Sequence, residues 1–196
     1  MSSSAVFDEI MSMYADKLRL DKDIWAEKTP RNCLSYDWLA KENPALYFIS
    51  MIRDGRDVVT STLDEHSPYH CSIDRYVETL EAIYSFDKLG YRHLIVRYEE
   101  MVRQPENISQ TIFAFLGLEY EPRILVSYRE ASPTRSPEKV RQTNVQNAIS
   151  PKWVGRWREP CHAERIREFM ADERAVGWLS HTGYASDKVS EQALDD

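Results

Sequence analysis

The sequence predicts an α/β fold with a mainly parallel sheet, and three observations favour that class. Residues 47–52 and 93–96 form short apolar runs of strand length. Segments with the apolar spacing of helices lie before, between and after these runs, as they do in βαβ units. Gly90 and Gly117 stand where two helical patterns stop, which is typical of a glycine cap.

Helices are predicted where apolar residues recur at intervals of three and four. In chain order they span about residues 6–20, 32–41, 55–63, 72–89, 105–116, 122–129 and 161–179. Asp54 is the expected N-cap of the 55–63 helix, and Pro105 opens the 105–116 helix. Residues 132–151 combine basic residues, turn residues and prolines, so we expect a long functional loop there.

Composition indicates one globular domain over residues 1–184 and a polar tail over 185–196. The chain has 196 residues, of which 42% are hydrophobic and 29% are charged. No apolar run reaches the roughly 18 residues of a membrane span, and no signal peptide is recognisable, so a cytoplasmic location is the default prediction. Cys33, Cys71 and Cys161 lack metal-ligand spacing, and we expect free thiols and no metal.

The charge distribution favours a compact anionic ligand. A net charge of −7 argues against a general nucleic-acid binder. Residues 129–158 carry seven basic and two acidic side chains, however, so this stretch is strongly positive within an acidic chain. A local basic loop suits a small anion better than a long polyanion. A solvated surface loop is the alternative.

The segment FISMIRDGRDVVTS, residues 48–61, predicts a phosphate site. An apolar run ends on Arg53, turns at Asp54–Gly55 and continues as a helix. The guanidinium offers charge and a fork of donors, and the helix N-terminus offers backbone N–H groups and a positive dipole end. Arg53 as a surface residue beside a capping box of Asp54 and Asp57 is the alternative.

Two further residues are expected near Arg53. Lys28 and Tyr98 also follow extended segments, and ligands of parallel sheets bind at the carboxyl ends of the strands. We therefore expect the three side chains at one edge of the sheet. The alternatives are an exposed lysine on a turn for Lys28 and a core residue for Tyr98.

Four segments in register resemble sulfotransferases that use 3′-phosphoadenosine 5′-phosphosulfate (PAPS). Residues 48–61 resemble the family's 3′-phosphate-binding segment, and residues 25–30 its lysine–x–proline motif. Residues 96–101 resemble its tyrosine–glutamate–acidic segment, and residues 136–157 the loop that closes over the nucleotide. The likeness covers about residues 25–184 and is closest to bacterial sulfotransferases and tyrosylprotein sulfotransferases.

The resemblance implies a P-loop-like three-layer fold and sulfuryl transfer from PAPS to a hydroxyl, without a metal. It implies that Arg53 and Ser61 hold the 3′-phosphate, that Tyr98 contacts the nucleotide, and that Lys28 stabilises charge on the transferring group. The cap over the nucleotide is expected from Ser136, Lys139, Arg141, Lys152 and Arg156, with Ser136 also a catalytic candidate. Trp153 and Trp157 are expected to pack within that loop.

One departure concerns the N-terminus. The family's phosphosulfate loop contains glycine, whereas the first glycine here is Gly55. We therefore expect a fold that lacks its first βα unit, a fragment or partial form with low turnover, and self-association through an unpaired strand edge. A degenerate homologue is the other explanation. Glu9 and Glu27 are candidates for a general base. His66 and His70 are expected at the surface, with a place on the acceptor side as the alternative.

Two rival functions remain open at this point. A kinase-like phosphotransferase would need a Walker lysine and a magnesium-binding hydroxyl, and neither is recognisable. A catalytically inactive nucleotide-binding or dimerising module is the alternative outside enzymes. Tyrosine peptides, carbohydrates and small alcohols are all possible acceptors.

Overall fold

The computed structural model describes residues 9–13, 16, 24–62, 68–127 and 148–185. A 3₁₀ turn over Asn32–Ser35 leads into α1 (Tyr36–Glu42). The elements that follow are β1 (Phe48–Ile52), α2 (Gly55–Val59), α3 (Ile73–Asp87), β2 (His93–Arg97), α4 (Tyr98–Arg103), α5 (Pro105–Leu116) and α6 (Ile124–Ser127). Three 3₁₀ turns, Pro151–Trp153, Arg156–Arg158 and Pro160–His162, precede α7 (Ala163–Ala171) and α8 (Glu173–His181).

The two predicted strands pair with each other, which confirms the α/β class. β1 and β2 are neighbours in a parallel sheet, with α2 and α3 on the connection between them. Along β1, Phe48, Ser50 and Ile52 are buried while Ile49 and Met51 are exposed. This alternation is the period of two expected for a strand. The candidate site residues Arg53 and Tyr98 directly follow the ends of β1 and β2.

The helix after β1 is shorter than predicted. It was expected to reach residue 63, but α2 ends at Val59 with Thr60 as its C-cap. The hydroxyl of Thr60 donates to the carbonyl of Arg56 at 2.7 Å. The β-branched Val58, Val59 and Thr60 have low helix propensity, and such a side-chain bond satisfies a terminal carbonyl. Ser61 consequently lies beyond the helix and not on it.

The single helix predicted over 161–179 is also wrong, because two helices occupy this region. The chain leaves helical geometry at Asp172, which lies between α7 and α8. The Asp172 carboxylate accepts hydrogen bonds from the backbone N–H groups of Arg174 and Ala175, at 2.9 and 3.1 Å. An aspartate that caps the following helix competes with continuation of the preceding one.

The described chain divides into two compact units. The first contains the described residues up to Phe48 together with Glu81–His93. Its core is aromatic, because the ring centroids of Phe48 and Phe86 lie 4.7 Å apart and Tyr36 lies 4.8 and 5.2 Å from them. Such tilted and edge-on contacts are the favoured aromatic geometries.

The second unit contains Ile49–Leu80 and the described residues from Leu94 onward. Val59, Val77, Phe169 and Leu179 are its largest fully buried apolar side chains. None of the helices in the described ranges is long and apolar enough to cross a bilayer.

Gly55 has a packing role at the turn between β1 and α2. A Cβ atom there would collide with the ring of Tyr76, which lies on α3 in the same unit. The chain turns at Asp54–Gly55 as expected, but Gly55 is not among the glycines of positive φ. Its lack of a side chain is what lets the Tyr76 ring contact the first turn of α2.

Candidate active site

Arg53 lies directly after β1 among three different groups. Its Nη2 atom is 3.4 Å from Oδ2 of Asp57 and donates a hydrogen bond to the carbonyl of Trp153. Its guanidinium stands 4.7 Å from the centre of the Tyr98 ring. Its Nε atom is buried and has no hydrogen-bond partner among the described residues. The guanidinium is thus held in place while one of its donors remains unsatisfied.

Two of the backbone donors at the start of α2, those of Asp54 and Arg56, are already occupied. The Asp54 side chain accepts from the N–H of Arg56 at 2.9 Å, which confirms Asp54 as the N-cap. The N–H of Asp54 itself donates to Oε1 of Glu99 at 3.0 Å. The helix has only five residues. Anion binding here would therefore rest on the Arg53 side chain more than on the helix N-terminus, contrary to the expectation from sequence.

Asp57 anchors the chain that faces Arg53. It was expected to complete a capping box, but its carboxylate instead accepts from the N–H groups of Gly155 and Trp157, at 2.7 and 3.0 Å. Asp57 is 2% exposed. A buried carboxylate that receives two backbone N–H donors is a strong tether. Asp57 thereby fixes residues 155–157 close to the end of β1.

A buried ion pair supports this arrangement, and sequence reasoning missed it. Arg56 is 2% exposed and makes two side-chain bonds to Asp54, from Nε at 3.0 Å and from Nη2 at 2.7 Å. It also donates to the carbonyl of Tyr184 at 3.0 Å and stacks on the Trp157 ring at 4.0 Å. Trp157 is buried, and its ring contacts are with Arg56 of α2 and with Arg158, so packing within the loop stays a prediction.

Glu99 is the second supporting residue that sequence reasoning missed. Its Oε1 atom accepts from the N–H of Asp54, and its Oε2 atom accepts from the hydroxyl of Tyr184 at 2.5 Å. Burial, and then the hydrogen bond to Glu99, raises the pKa of Tyr184 far above its usual range. Because Glu99 follows β2 and Asp54 follows β1, this carboxylate ties the ends of the two strands together.

Tyr98 meets Arg53 as the sequence predicted. The residue opens α4 directly after β2, and its ring faces the guanidinium. Burial raises the pKa of Tyr98, and the nearby Arg53 charge opposes that rise. The phenol is therefore neutral near pH 7 and can serve as a flat surface or as a hydrogen-bond donor.

Ser61 is partly buried just beyond α2. Its N–H donates to the carbonyl of Val58 at 3.3 Å, and its carbonyl accepts from the N–H of His70 at 3.0 Å. These backbone bonds fix the position of Ser61, eight residues after Arg53. His70 is exposed, as expected, and His66 lies outside the described residues.

Arg156 lies within residues 155–157, which Asp57 holds, and Lys152 lies shortly before them. The Lys152 ammonium and the Arg156 guanidinium each stand 4.8 Å from the centre of the Trp153 ring. Arg156 also binds both carboxylate oxygens of Glu159, at 2.6 and 2.9 Å. This pair lowers the pKa of Glu159 and raises that of Arg156. The predicted cap role of both residues stays a prediction.

The remaining predicted site residues lie in the first unit or outside the described residues. Lys28 is exposed in an irregular stretch of the first unit. The weak base candidate Glu27 accepts hydrogen bonds from the side chains of Thr29 and Asn32 and so holds a local turn. The other base candidate, Glu9, is exposed on a helical stretch. Ser136, Lys139 and Arg141 lie outside the described residues.

Within the described ranges, one cluster has metal-ligand chemistry. Ligand atoms of Glu159, Cys161 and His162 lie within 4.8 Å of one another. However, Arg156 already binds Glu159 at both oxygens, and Nδ1 of His162 lies 3.1 Å from the Tyr69 hydroxyl. A cation would have to compete with the guanidinium for the carboxylate, so the cluster is poorly suited to hold a metal.

Two solved structures are similar to this chain in fold. The sulfotransferase domain from the curacin biosynthetic pathway matches with a TM-score of 0.65 and 15% identity, over 90% of this chain and 67% of that domain. The sulfotransferase domain from the olefin synthase of Synechococcus PCC 7002 matches with a TM-score of 0.55 and 20% identity, over 82% of this chain and 64% of that domain.

Sequence comparison agrees with the fold. A Caenorhabditis briggsae protein described as "Putative protein-tyrosine sulfotransferase" is 24% identical over 194 residues, which cover 91% of this chain and 68% of that protein. A family model with the description "Sulfotransferase family" matches residues 2–122, more than half of the chain. The residues after β1 and β2 that surround Arg53 thus belong to a fold shared with sulfotransferase domains, and the chain is a member of the sulfotransferase family.

Proposed function

We propose that this protein transfers a sulfuryl group from PAPS to a hydroxyl acceptor, and that Arg53 binds the 3′-phosphate of the nucleotide. The observation that carries the proposal is the unsatisfied, buried Nε of a guanidinium that its neighbours hold in place. A buried donor without a partner is costly, and a phosphate oxygen is a suitable acceptor for it.

The surroundings of Arg53 leave its charge available to an anion. The nearest carboxylate, Asp57, lies 3.4 Å away and already accepts two backbone hydrogen bonds. A strong charge-assisted bond would be shorter, at about 2.7–2.9 Å. A dianionic phosphate offers both more charge and more acceptor oxygens than this shared carboxylate. Ser61 would add a hydroxyl donor, and Tyr98 would contact the nucleotide.

The transfer itself requires neutralisation of charge at the moving group. The acceptor oxygen forms a new S–O bond, the S–O bond to the nucleotide phosphate breaks, and the acceptor proton is released. Lys28 and Ser136 are the residues proposed to stabilise the charge that grows on the bridging oxygen. The leaving group is 3′-phosphoadenosine 5′-phosphate, beneath a cap proposed to include Lys139, Arg141, Lys152 and Arg156.

A hydroxyl is the proposed acceptor, and a tyrosine peptide is the first to test. The name of the Caenorhabditis briggsae relative supports this choice. The alternative is a nucleotide-binding or dimerising protein without turnover. Incubation with radiolabelled PAPS and tyrosine peptides, carbohydrates or small alcohols separates the two. Labelled product supports transfer, whereas tight nucleotide binding without product from any acceptor class supports the alternative.

Calorimetry with three nucleotides tests the assignment of Arg53. Adenosine 3′,5′-bisphosphate should bind more tightly than adenosine 2′,5′-bisphosphate, which carries the same charge with one phosphate moved, and more tightly than AMP. Equal affinity for the two bisphosphates would mean that the protein recognises charge alone. Equal affinity for all three would mean that no group addresses the 3′-phosphate.

A further inference from the structure

A polar cavity lies in the same unit as Arg53, but Arg53 does not line it. The cavity has a volume of about 400 Å³. Three arginines line it, Arg97, Arg103 and Arg158, together with the carboxylates of Asp54 and Glu99. Neither Tyr98 nor Trp153 contributes to its walls, although both contact Arg53.

The two sites use consecutive residues at the end of β2. Arg97 is the last residue of the strand and lines the cavity, whereas Tyr98, the next residue, faces Arg53. The end of β2 therefore contributes one residue to the cavity and the next residue to the site at Arg53.

The acidic groups of the cavity are already satisfied by other residues. Asp54 is paired with the buried Arg56, whose Nη2 lies 2.7 Å from Oδ2 of Asp54. Both oxygens of Glu99 accept hydrogen bonds, one from a backbone N–H and one from the Tyr184 hydroxyl. The charge of Arg56 balances that of Asp54. The remaining carboxylate is Glu99, so the three lining arginines leave an excess of two positive charges. The cavity is thus set for an anion.

Aromatic rings and glycines hold two of the guanidiniums. Arg97 lies over the Tyr184 ring at 4.1 Å, and Arg158 over the Trp157 ring at 4.3 Å. Stacking covers the face of a guanidinium, whereas its N–H donors point outward in its plane. Gly183 and Gly155 both have positive φ. A Cβ atom at Gly183 would lie 3.3 Å from Nη1 of Arg97, and one at Gly155 only 2.5 Å from Nη1 of Arg158.

Arg103 completes the group from the end of α4. It is exposed, and within the described part of the chain it forms no ion pair. Arg97 also interacts with the Tyr184 hydroxyl, and Glu100 lies 3.7 Å from its Nε and is half exposed. An exposed pair of this kind contributes little, so an entering dianion can displace it.

We propose that this cavity is a second anion site, which binds a tetrahedral oxyanion, a sulfate or phosphate group, independently of the nucleotide site at Arg53. Three guanidiniums around one cavity match the three or four oxygens of such a group, and arginine forks bind these oxyanions in pairs of hydrogen bonds. The volume accommodates a sulfate ester as well as the inorganic ion. The proposal stands whether or not the protein transfers sulfuryl groups.

Calorimetry of the full chain with inorganic sulfate and with phenyl sulfate tests the proposal. The buffer is chloride at constant ionic strength, because screening alone weakens any exposed charge interaction. Sulfate should bind saturably with a Kd below about 1 mM. Binding of phenyl sulfate more tightly than sulfate identifies an ester as the preferred source, whereas the reverse order identifies the inorganic ion.

Matched variants locate the binding. Arg158→Gln should weaken sulfate binding about tenfold and Arg103→Gln at least about threefold, which correspond to losses of roughly 1.4 and 0.7 kcal/mol. Both should leave the affinity for adenosine 3′,5′-bisphosphate within about twofold. Arg123→Gln removes an exposed arginine that is paired with Glu121 outside the cavity, and should change neither affinity.

Two outcomes overturn the proposal. One is a lack of saturable sulfate binding by the wild-type chain. The other is sulfate binding that persists in Arg158→Gln and Arg103→Gln but disappears in Arg53→Gln, because the ion would then occupy the nucleotide site. Circular dichroism of each variant shows whether it is folded. If Arg158→Gln unfolds, Arg158→Lys takes its place, because lysine keeps the positive charge but lacks the fork of donors.

Discussion

The two compact units of this chain have different interiors. In the first unit, Phe48, Phe86 and Tyr36 form an aromatic cluster with Ala40 buried beside them. In the second unit, charged side chains are buried among the apolar ones, and Arg56 is as inaccessible as Val77. The burial of apolar surface stabilises the interior of the first unit. In the second unit, each buried charge needs a hydrogen-bonded or oppositely charged partner, because an unpaired buried charge is strongly destabilising.

The buried charges lie in the unit that contains the proposed nucleotide site. Arg53 is held by residues that Asp57, Arg56 and Glu99 fix in place. A buried ionic network costs more to assemble than an apolar core, and its members fix the orientation of nearby groups. We therefore expect substitutions in the two units to separate stability from binding.

Truncation of Arg56 should have the largest effect. Arg56→Ala leaves the buried Asp54 carboxylate without its partner and removes the bond to Tyr184, so we expect a loss of about 3–5 kcal/mol in the free energy of unfolding. Urea denaturation followed by circular dichroism measures it. Arg123→Ala, at an exposed pair with Glu121, should change stability by less than about 0.5 kcal/mol. A loss for Arg56→Ala no larger than for this control would refute the network.

Addition of one methyl group at Gly55 should come next. Gly55→Ala forces a Cβ atom into the ring of Tyr76, so we expect a loss of about 1–3 kcal/mol. The double variant Gly55→Ala/Tyr76→Leu removes the obstructing ring and should lose less than the two single variants together. Strict additivity of the two changes in urea denaturation would show that the ring and the glycine do not interact.

A change in the aromatic cluster should reduce stability without affecting binding. Phe86→Leu keeps an apolar side chain but loses ring contacts to Phe48 and Tyr36, and we expect a loss of about 1–2 kcal/mol. The affinity for adenosine 3′,5′-bisphosphate should be unchanged by calorimetry at a temperature where both proteins are folded. A large loss of affinity would contradict the expectation that substitutions in the first unit affect stability but not nucleotide binding.

The smallest effect should be a pH dependence in the first unit. Burial lowers the pKa of His93 below its usual value near 6.5, although Asp87 opposes this. The unfolded chain then binds the proton more readily than the folded chain does. The contribution of His93 to the free energy of unfolding is therefore complete above about pH 6.5 and is lost as the pH falls below that value. Wild type should therefore lose more stability than His93→Gln between pH 7.5 and 5.5 in urea denaturation. Equal losses would contradict this assignment.

Local sequence patterns predicted those elements that depend on local signals. The two strands, the start of α5 at Pro105 and its end before Gly117 agree with the prediction, because periodicity and capping are encoded nearby. The end of α2 at Val59 and the break at Asp172 were missed. In both places a short polar side chain bonds to the backbone and ends or restarts a helix, which periodicity does not register.

The candidate site was predicted only in part, for a different reason. Arg53 and Tyr98 were found because each follows an apolar run. Arg56 and Glu99 were missed because their burial depends on partners far along the chain, 128 residues away for Tyr184 and 45 for Asp54. The clue in the sequence was a pair of acidic residues beside two arginines directly after a strand, since charges in such a place need partners.

The most direct test of the account is a thermodynamic cycle on Arg53. Adenosine 3′,5′-bisphosphate and AMP are titrated calorimetrically into the wild-type chain and into Arg53→Gln. We expect the substitution to weaken bisphosphate binding by about 2–3 kcal/mol and to leave AMP binding nearly unchanged, because the guanidinium addresses the 3′-phosphate alone. Equal losses for both nucleotides, or none for either, would contradict the assignment of Arg53 to the 3′-phosphate.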